Sequence, residues 1–181
     1  MHEHVGRVLV TGGVRSGKSR YAEDRLRGAP AVTYVATGYP ADPDADPEWA
    51  LRVARHQSSR PQTWRTVETL DIAAVLEDAT GPVLIDCFGL WVTRTLDSLA
   101  AWDAPRVAWE ARWAAEVDRL TAAWARCPLP VLAVTNEVGW GVVPDHRAGR
   151  LFADGLGRLN QRLAETADEV VLMVAGRPLR L

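Results

Sequence analysis

Val8-Leu9-Val10-Thr11-Gly12-Gly13-Val14-Arg15-Ser16-Gly17-Lys18-Ser19-Arg20-Tyr21-Ala22-Glu23 is the stretch from which the rest of the chain is best read. Residues 12–19 fit G-x-x-x-x-G-K-[ST] at every fixed position, with an aliphatic run before them and a helical segment, Arg20 to Leu26, after them. That layout has a physical reason. Glycines let the backbone curl so that successive N–H groups point inward, and a helix N-terminus adds its positive end, so an anion is held without any cationic side chain. Lys18 then reaches a terminal phosphate, and the Ser19 hydroxyl is placed for Mg²⁺. The 21 basic residues comprise 20 arginines and one lysine, and that one is Lys18. In a chain that otherwise uses arginine, this position calls for a compact ammonium on a flexible stem.

Outward from this loop the chain alternates. Arg7–Thr11, Val32–Ala36, Val83–Asp86, Val131–Thr135 and Val170–Val174 are short apolar runs without polar alternation, which predicts strands buried on both faces. Between them lie amphipathic stretches. Residues 105–126 carry Trp109, Trp113, Val117, Leu120 and Trp124 on one stripe and predict a helix opening at Pro105. Asp46-Pro47-Glu48 opens a second helix running to about Gln57, and a third spans about Pro144 to Glu165. The tryptophan stripe is assigned to core or subunit packing. Pro40 to Pro47, acidic and proline-rich, is read as a solvated connector. Together the elements predict an α/β fold: a P-loop NTPase, RecA-like three-layer sandwich on a mainly parallel central sheet, in one domain of residues 1–181.

Composition narrows the classes. A net charge of -2 from 21 basic and 23 acidic residues argues against a nucleic-acid-binding surface. Two cysteines, Cys87 and Cys127, are too few for a disulfide framework, and no apolar stretch approaches the roughly 18 residues of a membrane span. The N-terminus runs directly into the first strand, leaving no room for a targeting peptide, so a cytoplasmic protein is expected. Asp86, closing a buried strand, is the candidate metal-side carboxylate. The loop and Asp86 fit kinases, ATPases and GTPases alike. Of the four histidines, His2 and His4 lie at the N-terminus. His56 falls in a helix's last turn, with Arg55 and Arg60 beside it and Arg65 beyond. Before any resemblance is considered it reads first as a surface histidine near a helix end and second as one facing a phosphate.

Five segments come in a telling order: Val10 to Ser19; Arg52-Val53-Ala54-Arg55-His56-Gln57-Ser58-Ser59-Arg60-Pro61; Asp86-Cys87-Phe88-Gly89-Leu90-Trp91-Val92; Thr135-Asn136-Glu137-Val138-Gly139-Trp140-Gly141-Val142-Val143-Pro144; and Gly157-Arg158-Leu159-Asn160-Gln161-Arg162. Over essentially the whole chain they resemble the bifunctional adenosylcobinamide kinase / adenosylcobinamide-phosphate guanylyltransferase family of cobalamin biosynthesis. The resemblance implies two reactions: phosphorylation of adenosylcobinamide by ATP or GTP, then transfer of GMP from GTP through a guanylyl-histidine to give adenosylcobinamide-GDP. It makes His56 the nucleophile and Lys18 catalytic. It puts nucleotide contacts on Gly12, Gly13, Val14, Arg15, Ser16, Gly17, Lys18 and Ser19, on Ala36, Thr37 and Gly38, on Gln57, Ser58, Ser59 and Arg60, and on Glu68 and Asp86. Mg²⁺ falls to Ser19 and Asp86, and a homotrimer is implied. Glu137 is read with equal weight as lying near substrate or metal and as structural. Position 89 is glycine where the family usually carries threonine. The competing readings are a RecA-like ATPase module, a regulatory nucleotide-binding protein, and a P-loop kinase of another small alcohol.

Overall fold

A computed structural model describes residues 6–58 and 60–181; His2, His4 and Ser59 lie outside the described residues. The chain begins with β1 (Arg7–Gly12) and α1 (Lys18–Leu26), then β2 (Thr33–Ala36), α2 (Pro47–Ser58), β3 (Arg65–Glu68) and α3 (Ile72–Glu77). β4 (Val83–Asp86), α4 (Phe88–Ser98), α5 (Glu110–Arg126), β5 (Val131–Val134), α6 (Arg147–Ala164), β6 (Glu169–Val174) and β7 (Arg177–Arg180) complete it. Seven strands form one sheet in the order β3-β2-β4-β5-β1-β6-β7. Every pairing is parallel except the terminal β6–β7 hairpin. β5 separates β1, which leads into the phosphate loop, from β4, which ends in Asp86.

The alternation of side chains along each strand divides the core into two layers. Val8, Val10, Tyr34, Leu84, Leu132 and Val134 face α1, with Ala22 and Leu26 packed on them. Leu9, Val35, Val83, Ile85, Val131 and Ala133 face the opposite side, where α3, α4, α5 and α6 cover them. The three-layer sandwich is therefore lopsided, with one helix on the face that carries the phosphate loop and four on the other.

All five predicted strands form. β3 and β7 carry no hydrophobic pattern that predicts them: both lie at sheet edges and bury almost nothing. The predicted helix 105–126 is interrupted. A 3-10 turn at Arg106–Ala108 leads to Trp109, whose φ of -137° breaks the helix before Glu110. The third helix starts at Arg147 rather than Pro144, capped by His146 Nδ1 accepting from Gly149 N at 2.8 Å. Residues 40–47 are exposed as expected, and Asp46 caps α2 through Trp49 N.

The tryptophan stripe is core. Trp109 and Trp124 are buried, and Trp113 packs against Trp91 with ring centroids 5.7 Å apart. Trp124 also donates its indole N–H to Leu163 O at 3.2 Å, which ties α5 to α6. Replacing Trp124 by Ala therefore leaves a large cavity and removes that tie. The expected cost is about 3–5 kcal/mol, read from urea denaturation midpoints, and a loss below about 1 kcal/mol would contradict this packing account.

Candidate active site

The phosphate loop starts where β1 ends. Gly12 has φ +144°, and a Cβ there would lie 2.5 Å from Met173 O, so both conformation and space demand glycine. Gly17, at φ +95°, starts α1 without a side-chain cap, and no acidic residue occupies the first turn. The first N–H groups of α1 are thus left for an external acceptor. Lys18 is buried and folds back onto its own loop, donating to Gly12 O at 2.9 Å and Gly13 O at 2.6 Å. Burial lowers its pKa, while Cys87 and Asp86 act in the opposite direction. The outer part of the loop, Gly13 to Arg15, is exposed.

Three parallel strands set the opposite wall. Ala36 pairs in register with Glu68 on one side and Asp86 on the other, so the ends of β3, β2 and β4 form one row, with neighbouring strands about 4.8 Å apart. One side-chain face of that row looks toward α1. Asp86 Oδ2 accepts from Tyr34 OH at 2.9 Å. Burial, and then Asp86, pushes the Tyr34 hydroxyl well above its ordinary range. The Cys87 thiol is pushed up to about 11, by burial first and Asp86 next. On α1, Glu23 is buried with Oε1 lacking a hydrogen-bond partner, and its pKa is raised by burial and then by Asp86.

α2 closes the third side. None of its residues is buried. Trp49 packs against Gly38, where a Cβ would come within 2.7 Å of its ring, and its indole N–H bonds Tyr39 O at 2.9 Å. His56, half-buried, faces an open cleft together with Ser19, Glu68, Asp86 and Arg60. Residues separated by up to 67 positions in sequence thus share one cavity.

Among the expected contact residues, Ser19, Ala36, Gly38, His56, Arg60, Glu68 and Asp86 line this cleft. Gly12 to Lys18 form the loop at its rim. Thr37 is spent on the scaffold: its hydroxyl donates to Cys87 O at 2.7 Å and accepts from Cys87 N at 2.9 Å. Gln57 and Ser58 are exposed, with the Ser58 hydroxyl bonded to Arg55 O. Ser59 falls outside the described residues. Glu137 sits below the loop, its N–H on Gly12 O and its carboxylate accepting from Thr11 Oγ1 at 3.3 Å. Sequence reasoning missed Tyr34, Tyr39, Trp49 and Arg52, which also line the cleft. The available signal was Tyr34, the one polar-tipped aromatic in an otherwise aliphatic strand run.

Ser19 and Asp86 offer a hydroxyl and a carboxylate to one cavity. That is the sparse oxygen set suited to Mg²⁺, which takes its remaining ligands from water and phosphate. Among the described residues no helix is long and apolar enough to cross a membrane.

Comparison with known proteins bears on the fold and the family. The fold is shared with a prototypical ATPase from the type III secretion system of pathogenic bacteria, with a TM-score of 0.58 and 12% identity over 93% of this chain and 51% of that one. Bifunctional adenosylcobalamin biosynthesis protein CobU of Salmonella typhimurium is 44% identical, over 93% of this chain and 96% of its own length. The CobP protein of the same description from Pseudomonas aeruginosa is 38% identical over 97% and 96%. The model of the family described as cobinamide kinase / cobinamide phosphate guanyltransferase matches residues 8–181, the phosphate loop, the His56 helix and the Asp86 strand among them, and the chain belongs to that family.

Proposed function

We propose that one domain, residues 1–181, carries both reactions of cobalamin biosynthesis that the family name describes: phosphoryl transfer to adenosylcobinamide, and guanylyl transfer from GTP to adenosylcobinamide phosphate. The observation that carries this reading is the convergence of Ser19, Asp86 and His56 on one cleft. An ATPase module needs the first two and has no use for the third.

In the phosphoryl half, the N–H groups of the loop and the first turn of α1 hold the nucleotide's phosphates, and Lys18 leaves the Gly12 and Gly13 carbonyls to meet them. Ser19 and Asp86 would hold Mg²⁺, which when bound offsets phosphate charge. The hydroxyl of the acceptor attacks the γ-phosphorus, the bond to the bridging oxygen breaks, and nucleoside diphosphate leaves. In the guanylyl half, a neutral ring nitrogen of His56 attacks the α-phosphorus of GTP. A P–N bond forms as the bond to pyrophosphate breaks. An oxygen of adenosylcobinamide phosphate then takes GMP from the histidine, regenerating the ring and yielding adenosylcobinamide-GDP. Covalent catalysis divides one displacement into two. His56 lies in the last turn of α2, and Arg60 holds its backbone carbonyl. Glu68, Ala36 and Gly38 line the side of the cleft where the nucleotide base and ribose would rest. A cytoplasmic homotrimer accompanies this reading.

Incubating the protein with GTP and Mg²⁺ should add one acid-labile GMP by intact mass, and His56→Ala should abolish it. A wild-type protein that stays unmodified across pH and magnesium concentration contradicts the guanylyl-histidine. Asp86→Asn retains the shape of the side chain and removes its charge, and should lower Mg²⁺-dependent phosphoryl transfer at least ~100-fold, as measured by single-turnover transfer of labelled γ-phosphate. A change of under about threefold would mean that Asp86 does not serve the metal.

A further inference from the structure

Tyr34 stands between the two halves of the cleft. Its hydroxyl donates to Asp86 Oδ2 at 2.9 Å. Its ring carries the Arg60 guanidinium, with Cζ 3.6 Å from the ring centroid. Arg60 in turn donates Nε–H to His56 O at 2.7 Å and Nη1–H to Thr66 Oγ1 at 2.9 Å. These contacts follow from register. Tyr34 pairs in parallel with Thr66 on one side and Leu84 on the other, so Tyr34, Thr66 and, two residues further along β4, Asp86 share one face of the sheet.

Each contact constrains a different freedom. The hydroxyl fixes one oxygen of Asp86 and so sets the direction of the other. His56 O lies in the last turn of α2, and the Arg60 guanidinium donates to it there. The guanidinium is held by its face on the ring and by its edge on two oxygens, an arrangement lysine cannot reproduce. α2 buries no residue, so the seat of its final turn depends on a few contacts of this kind.

We propose that Tyr34 is a positioning residue shared by both half-sites: its hydroxyl orients Asp86, and its ring, through Arg60, seats the helix end that presents His56. The proposal rests on Asp86 and His56 having the roles proposed above. It makes one side chain couple the geometry of phosphoryl transfer to that of guanylyl transfer.

Three variants test it, each assayed for Mg²⁺ dependence of phosphoryl transfer to adenosylcobinamide and for single-turnover GMP-adduct formation with GTP. Tyr34→Phe keeps the ring and loses the hydroxyl. The Mg²⁺ concentration for half-maximal phosphoryl transfer should rise about tenfold. Tyr34→Leu removes the ring as well, and its adduct rate should fall about tenfold below that of Tyr34→Phe. Thr66→Val is nearly isosteric on an exposed edge strand, so it folds even where the leucine variant does not. It should slow adduct formation roughly threefold and leave phosphoryl transfer at the wild-type rate. An unshifted Mg²⁺ dependence in Tyr34→Phe overturns the Asp86 arm. A wild-type adduct rate in Thr66→Val, or equal adduct rates in the phenylalanine and leucine variants, overturns the His56 arm. Failure of the nucleophile assignment itself is distinguishable, because then the unsubstituted protein forms no adduct.

Discussion

The in-register parallel pairing of β3, β2, β4, β5 and β1 is the constraint on which the site depends. Parallel strands place their carboxyl ends along one edge, and the loops leaving that edge are free to carry chemistry while the sheet stays rigid. Here the edge places Gly12, Asp86, Ala36 and Glu68 at the mouths of four strands. Since β5 lies between β1 and β4, the phosphate loop and Asp86 are two strand spacings apart, about 10 Å between backbones. A slip of one residue in β4 would turn Asp86 to the helix-covered face and bring Ile85 into the cleft.

Different physical terms hold the two walls. The loop side is anchored in the core: β1 has five buried residues, Ala22 and Leu26 of α1 are buried, and Gly12 packs its backbone against Met173. The His56 side rests on α2, whose attachments are polar or aromatic: the Asp46 cap, Trp49 on Gly38, and Arg60 between Tyr34 and Thr66. Burial of aliphatic surface resists disruption in proportion to area, whereas such directed contacts each contribute little but fix an angle. A helix held in this way contributes little to global stability and much to where its histidine points.

What could be read in advance followed this division. The loop, the five central strands and Asp86 are local patterns, each fixed by residues adjacent in sequence. β7, Arg-Pro-Leu-Arg, is wholly exposed and offers no hydrophobic period, and β3, Arg-Thr-Val-Glu, buries none of its side chains fully. α4 has a six-residue buried face, but its first residues were read only as part of a segment resembling the family's. The break before Glu110 is invisible to periodicity, because the stripe begins at the N-cap Trp109 itself and residues 105–108 carry none of it. Tyr34 escaped for a different reason. Its partners are 26 and 52 residues away, and only register reveals that they share a face. The place of Thr37 in the scaffold likewise depends on β4 lying beside β2.

The glycine at position 89 shows what a missing side chain can admit. It lies in the first turn of α4, one residue after Phe88. In this chain a Cβ at Gly89 would lie 2.9 Å from Asn136 Oδ1, so the volume is already occupied by a polar group from the loop after β5. The loop is fixed there: Asn160 donates to Asn136 O at 3.0 Å, and Thr135 donates to Asn160 Oδ1 at 2.7 Å. A buried threonine in that turn would need its own partner and would push the carboxamide away. With glycine, the carboxamide approaches the start of α4, and polar character is supplied by a different strand end. The same solution appears at Gly38, where the missing side chain is replaced by the Trp49 ring. At both positions glycine acts by what it admits: an amide from the loop after β5, and the Trp49 ring from the helix that carries His56.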